Sequence, residues 1–225
     1  MMIRITANFL CVLFLLVFNI DTVLADDNNT DKHDHQKKLI PYSGAPPEID
    51  LSEEELQRLA SGEALFQELQ LNNAKRGVAI FRVNANAAVV WSVLKEFSSY
   101  PEWIDDIKAT EVYYENTNLI SVKFVANGVF GTDTVWYAAH NYPDDDRNWG
   151  TWKLDYDKRS DLDDSVGFWS LLPVAGHAEQ TDVVYSADVK LKGLLTSLFE
   201  SSLIKSSLKN ATQWVKEQAE ARAKK

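Results

Sequence analysis

Four side chains of this sequence could move a proton. His140 stands in YAAHNY, His177 in AGHAEQTD, Asp133 in GTDTVW and Tyr185 in VVYSADV. An imidazole is the usual acid or base near neutral pH, and a carboxylate or phenol serves when its surroundings shift its pKa toward that range. Their company is poor in further chemistry. His140, ahead of NYPDDD at a strand end, and His177, in a loop, read as solvent-facing, with no carboxylate at metal-ligand spacing beside either. Asp133, flanked by Thr132 and Thr134, reads as exposed. The sequence carries no nucleophile triad, phosphate loop or zinc pattern. The acidic runs at 144–146 and 161–164 do not have the spacing of a calcium loop and read as solvated turns. Asp31, His33, Asp34 and His35 could catch a metal, but they sit in a polar segment and read as linker. No catalytic residue, metal or cofactor is expected.

Rings are far more abundant. There are seven tryptophans, at 91, 103, 136, 149, 152, 169 and 214. A flat apolar surface with one N–H suits a cavity for rings or isoprenoid tails, and it also suits a packed core. Trp152 and Trp169 are the first candidates for a cavity wall, each on a strand with an apolar alternate neighbour, Leu154 and Leu171. Tyr185 shares a stripe with Val183 and Ala187, and its hydroxyl could orient a ligand oxygen. Phe124 and Trp136 follow, on strands that are apolar on both faces. Phe97 and Trp103 flank a bend that could close the cavity mouth and open as a gate.

The elements that must position these residues begin after a targeting segment. Residues 1–25 read as a secretory signal peptide: a basic residue in MMIRIT, the apolar run FLCVLFLLVFNI, then Val23 and Ala25 ahead of Asp26. The run is short for a membrane span, and an uncleaved anchor is the other reading. Cleavage would place the chain in the periplasm or outside the cell and would remove its one cysteine, Cys11. The formal charge of −10 would not change, because Arg4 and Asp21 leave together. Such acidity repels nucleic acid and anionic lipid. Nucleic acid is therefore not an expected partner, membrane contact is at most transient, and no protein partner is named.

Residues 26–47 read as a disordered polar and proline-rich linker, since they cannot bury enough apolar surface to order themselves. Residues 48–75 read as a leader of helix and strand. Ser52 with Glu55 fits a capping box, and residues 64–83 read as two strands around Asn72-Asn73, with a continuous helix over 53–71 as the competing reading. Asn84 or Asn86 can cap a helix carrying Val90, Leu94 and Phe97 on one face. Pro101 ends that pattern, and Ser99 and Glu102 can cap a second short helix holding Trp103 and Ile107. Six strand-like runs follow between 108 and 191, with no helix between them, which predicts an antiparallel meander. In the last run Val183, Tyr185, Ala187 and Val189 alternate with Val184, Ser186, Asp188 and Lys190, implying one buried and one wetter face. From residue 193 the chain reads as one long amphipathic helix, with Leu194, Leu198, Leu208, Ala211, Val215 and Ala219 in a stripe.

The segment VNANAAVVWSVLKEFSSYPEWIDDI at 83–107, with FWSLLPV, TDVVYSADV and the closing helix, resembles the START-like superfamily of polyketide cyclase/dehydrase, coenzyme Q-binding and lipid-transport domains. The resemblance spans 76–222. It implies an α+β helix-grip fold: a curved antiparallel sheet wrapped around the long C-terminal helix, with two short helices at one end. A sheet that curls around a helix without touching it everywhere leaves a concave apolar gap, which is a ligand site by default. The expected function is non-catalytic binding or transport of an apolar small molecule or lipid, isoprenoid or quinone-like, in the cell envelope. A cyclase/aromatase-like enzyme using Tyr185, Asp133 or His177, and an interaction module with a filled core, are the alternatives.

Overall fold

The computed structural model describes residues 32–34, 38–71, 74–128, 132–143, 148–192 and 197–225. The expected signal peptide, the turn at Asn72-Asn73 and the acids at 144–146 lie outside them. The first helix, α1 (Glu53–Ala60), starts where its capping chemistry allows. Ser52 Oγ accepts from the Glu55 N–H, and the Glu55 carboxylate accepts from the Ser52 N–H. The competing long helix does not form. Strands β1 (Leu65–Leu71) and β2 (Ala74–Val83) pair antiparallel from Leu65–Ile80 to Leu71–Ala74.

Asn86 caps α2 (Ala87–Leu94) by accepting from the Val89 N–H. A 3-10 turn (Phe97–Ser99) and a single helical turn, α3 (Tyr100–Trp103), make the bend. Two expectations fail here. Ser99 does not cap α3; its hydroxyl donates to Glu96 instead. Ile107 is not helical but opens β3, because α3 stops at Trp103.

The meander is as expected. Strands β3 (Ile107–Glu115), β4 (Leu119–Asn127), β5 (Asp133–Asn141), β6 (Trp149–Leu154), β7 (Leu162–Val174) and β8 (His177–Leu191) each pair antiparallel with the next. β2 joins β8, giving one eight-stranded sheet in the order β1-β2-β8-β7-β6-β5-β4-β3. The long helix α4 (Ser197–Ala223) packs on β2 and β8 and against α2. Leu208, Ala211, Trp214, Val215 and Ala219 are its buried residues in the core shared with Ala79, Phe81 and Val183.

The expected wet face of β8 is not wet at Val184 and Ser186, whereas Asp188 and Lys190 are half-buried. Val184 and Ser186 are as buried as Val183. The reason is a second layer on the outer side of the sheet, where Tyr42, Ile49, Leu51 and Leu59 pack on Leu65, Val78, Ile80, Phe168 and Val184. Tyr42 meets Phe168 edge to face at 5.0 Å.

The described parts of the segment read as linker are held by this same outer side. His33 Nδ1 accepts from the Ser160 N–H at 3.1 Å, its Nε2 lies 2.8 Å from the Asp163 carbonyl, and the Leu39 N–H donates to Asp164 at 2.7 Å. The segment does not order itself; the domain supplies its partners. The same contacts overturn the reading of a solvated turn for Asp163 and Asp164, which are fully buried and meet His33 and Leu39.

A ring-lined cavity between the long helix and the sheet

The register of the strands decides which side chains face α4. Phe124 on β4 pairs with Trp136 on β5, His140 on β5 with Trp152 on β6, and Trp169 on β7 with Tyr185 on β8. Successive side chains of a strand alternate between faces, so Trp136, Ala138 and His140 share the inner one. The rings then meet in series. Phe124 stacks on Trp136 at 5.0 Å and 8°, His140 on Trp152 at 5.9 Å, Trp152 on Tyr185 at 5.8 Å, and Tyr185 on Trp169 at 3.9 Å.

One glycine makes this series continuous. Gly167 pairs with Trp152 across β6 and β7, and the six-membered ring of Trp152 lies against it. A methyl group at position 167 would sit 2.0 Å from the Trp152 ring and 2.4 Å from the Ser186 carbonyl. Neither can yield without shifting the strand, so only glycine lets the indole bridge toward β8.

Because α4 rests over β2 and β8, the space beneath β4–β7 is not filled by helix. It forms a cavity of about 510 Å³, within the range of small-molecule sites. Phe124, Trp136, Trp152, Trp169 and Tyr185 line its sheet side, and Ile204, Ser207, Ala211 and Trp214 line its helix side. The sequence-based choices Phe97 and Trp103 do not line it. Phe97 is 2% exposed behind the wall, against His140 at 4.6 Å and Tyr100 at 5.1 Å. Trp103 stacks on Trp214 at 6.2 Å and 24°, and the Arg222 guanidinium lies over the Trp103 ring at 5.9 Å. Both therefore hold the end of the cavity. The bend itself is tied by Tyr100 Oη donating to the Leu94 carbonyl and Thr110 Oγ1 donating to the Phe97 carbonyl, each at 2.7 Å.

Of the candidate proton carriers, Asp133 is exposed in an ion pair with Lys108, and His177 is exposed at the start of β8. Tyr185 faces the cavity, its hydroxyl 2.9 Å from Ser207 Oγ, and burial pushes its pKa up to about 12. His140 is the correction. It is 8% exposed, lines the cavity, and has no partner for Nε2. Burial lowers its pKa to about 3, so the ring is neutral. The stripe Trp136-Ala138-His140 was the signal for it, outweighed by the polar loop that follows. Among the described residues no group of acids, histidines or cysteines could hold a metal ion.

This geometry has known counterparts. The model of the polyketide cyclase / dehydrase and lipid transport family matches residues 83–212, more than half of the chain. The chain belongs to that family. No curated protein matches it in sequence. Solved structures share the fold at low identity. TTHA0849 from Thermus thermophilus is 19% identical, with a TM-score of 0.54 over 65% of this chain and 97% of that one. A STAR-related lipid transfer protein from Xanthomonas axonopodis is 15% identical, with a TM-score of 0.55 over 69% and 93%. The Zhui aromatase/cyclase from Streptomyces sp. R1128 is 16% identical, with a TM-score of 0.52 over 72% and 94%. The family thus spans lipid transport and polyketide cyclisation.

The buried, neutral His140 has a consequence for stability. The unfolded chain takes up a proton on this ring below about pH 6.5, whereas the native chain does so only near pH 3. The unfolded state therefore binds more protons in that window, so native stability is lost as pH falls through it, by roughly 1.4 kcal/mol per unit. Urea titrations at about pH 6.5 and about pH 5 should show a loss of roughly 2 kcal/mol from this residue, absent in His140→Leu. Equal losses in the two proteins would contradict the assignment.

Proposed function

We propose that this protein binds and carries a hydrophobic, ring-bearing or isoprenoid small molecule in the cell envelope. The observation that carries the reading is the cavity of about 510 Å³ walled by Phe124, Trp136, Trp152, Trp169 and Tyr185. Stacked rings held in place by strand register offer a ligand apolar contacts that are already positioned, so little ordering cost remains when it binds. An interior of this volume also speaks against the filled-core alternative.

The shifts of His140 and Tyr185, two of the polar groups in the wall, favour carriage over proton-transfer chemistry. A general acid or base works best with a pKa near the working pH. Burial moves His140 down to about 3 and Tyr185 up to about 12, so the imidazole is a poor base and the phenol a poor acid. Asp133 and His177, the other candidates for a cyclase-like site, stand outside the cavity.

The N-terminal apolar run, with its small residues up to Ala25, supports envelope placement. If that reading holds, protein recovered from its native cells has the mass of a chain starting at Asp26; recovery of the intact residues 1–25 in the soluble fraction would refute it.

Binding is measured with the uncharged fluorophore N-phenyl-naphthylamine. Its emission should rise on titration with the wild-type protein. In Ala187→Phe, which puts a ring into the cavity beside Tyr185, affinity should fall at least tenfold (about 1.4 kcal/mol) with the melting temperature little changed. No emission change with wild type, or equal affinity in the variant, would refute the cavity as the binding site.

A further inference from the structure

The N-terminal segment is fastened to the outer side of the sheet at three anchors. The His33 N–H donates to the Tyr156 carbonyl at 3.1 Å, and the His33 ring bridges the Ser160 N–H and the Asp163 carbonyl. The Leu39 N–H donates to Asp164 at 2.7 Å. The Ile40 carbonyl accepts from Arg76 Nη2. The first of these anchors depends on protonation. A backbone N–H only donates and a carbonyl only accepts, so Nδ1 must carry a lone pair and Nε2 the proton. The buried ring therefore fits as one neutral tautomer. An imidazolium would set an Nδ1–H against the Ser160 N–H, lose that bond and leave two buried donors facing each other.

The surrounding charges do not relieve this conflict. The chain from Tyr156 to Asp164 brings Tyr156, Arg159, Asp163 and Asp164 to this place. Lys192, just after β8, donates to the Ser160 carbonyl at 2.8 Å, and Lys38 and Lys153 stand over the Tyr156 ring at 5.1 Å and 5.4 Å. Lys32 and Asp34 flank the histidine in sequence. The buried Asp163 and Asp164 attract a charged ring, and the cations oppose it. The Asp164 oxygens already accept from Leu39, Ser165 and Tyr156, and no nearby charge turns the Ser160 N–H into an acceptor. Two of the anchors also adjoin the cavity. Leu162 and Ser165, on either side of the Asp163-Asp164 pair, line it, and so does Asp188, which pairs with Arg76 at 3.8 Å.

We propose that His33 is an acid-released latch: its neutral ring holds the N-terminal segment against β7, and its protonation frees that segment and loosens the cavity wall at Leu162, Ser165 and Asp188, so that ligand is let go. The undocked segment takes up a proton that the docked one has no room for, so acid shifts the population toward the undocked form. The effect on ligand rests on the binding reading above; the latch itself does not.

The experiment compares wild type with His33→Gln, which keeps a donor and an acceptor but takes up no proton, at about pH 7.5 and about pH 5. Nitrogen NMR of the wild-type ring at the higher pH should show the neutral Nε2–H tautomer. Hydrogen exchange, expressed as protection relative to the unfolded chain at the same pH, should show the Ser160 and Leu39 amides protected at the higher pH and open at the lower one. In His33→Gln their protection should not change with pH. The affinity for N-phenyl-naphthylamine should fall about tenfold between the two pH values in wild type and stay level in the variant. An imidazolium in the docked segment, or the same pH response of both amides in the two proteins, overturns the latch. Amides that open in acid while the affinity stays level overturn the coupling to ligand and leave the latch standing. No binding of the fluorophore at either pH removes the binding reading, and the coupling with it, while the amides still decide the latch.

Discussion

The position of α4 on the sheet is the constraint from which the rest follows. The helix does not lie centrally in the curve of eight strands; it is drawn toward β2. The helix packs closely over Gly77, where a methyl group would sit 2.9 Å from Leu208 Cδ1 and would have to displace that side chain. Both ends are fastened. Near the N-terminal end, Glu200 accepts from the Leu191 N–H and from Lys190 Nζ, each at 3.1 Å. Near the C-terminal end, Arg222 pairs with Glu96 and donates to Ser92, and Glu220 accepts from Asn84. A helix held over β2 and β8 leaves the inner faces of β4 to β7 uncovered. Those faces must find another cover or enclose a space, and the large rings do both.

The rings are positioned chiefly by strand register and by glycine, with hydrogen bonds holding Tyr185 and Tyr100. Gly167 admits Trp152, and Gly150 likewise lies under Tyr142, where a methyl group would be 2.7 Å from the ring. Trp214 then closes the inner end, against Tyr100 at 5.1 Å and Trp169 at 6.3 Å. Close packing of this kind tolerates small changes of shape poorly, because interiors are filled near crystal density. The outer layer serves the same end. With α1 and residues 42–51 on the far side, β2, β7 and β8 are packed on both faces, so the part of the wall that carries Trp169 and Tyr185 is backed by a second layer.

Much of this was legible in the sequence. Strand alternation and turns gave the meander, the 3.6-residue stripe gave α4, and the capping residues Ser52 and Asn86 gave the helix starts. What escaped was set by distant partners. Val184 and Ser186 look like a solvent face until the layer around Tyr42 and Ile49, far earlier in the chain, covers that side of the sheet. Asp164 looks like a turn residue until Leu39 donates to it from 125 positions away. His140 had the right parity to face inward beside Trp136, but the polar loop after it suggested exposure. Phe97 and Trp103 read in the sequence as bulky residues at a corner, and the rings of Tyr100, Trp214 and His140 turn them into supports behind the wall.

The central claim is that the space left by α4 is a binding site for an apolar ring compound. A crystal structure of the protein grown with naphthol tests it most directly. The account predicts the ligand rings between Trp152 and Ala211, with the surrounding side chains in the places described here. Naphthol bound only on the outer surface, or the cavity closed by α4 moving onto β5 and β6, would contradict it.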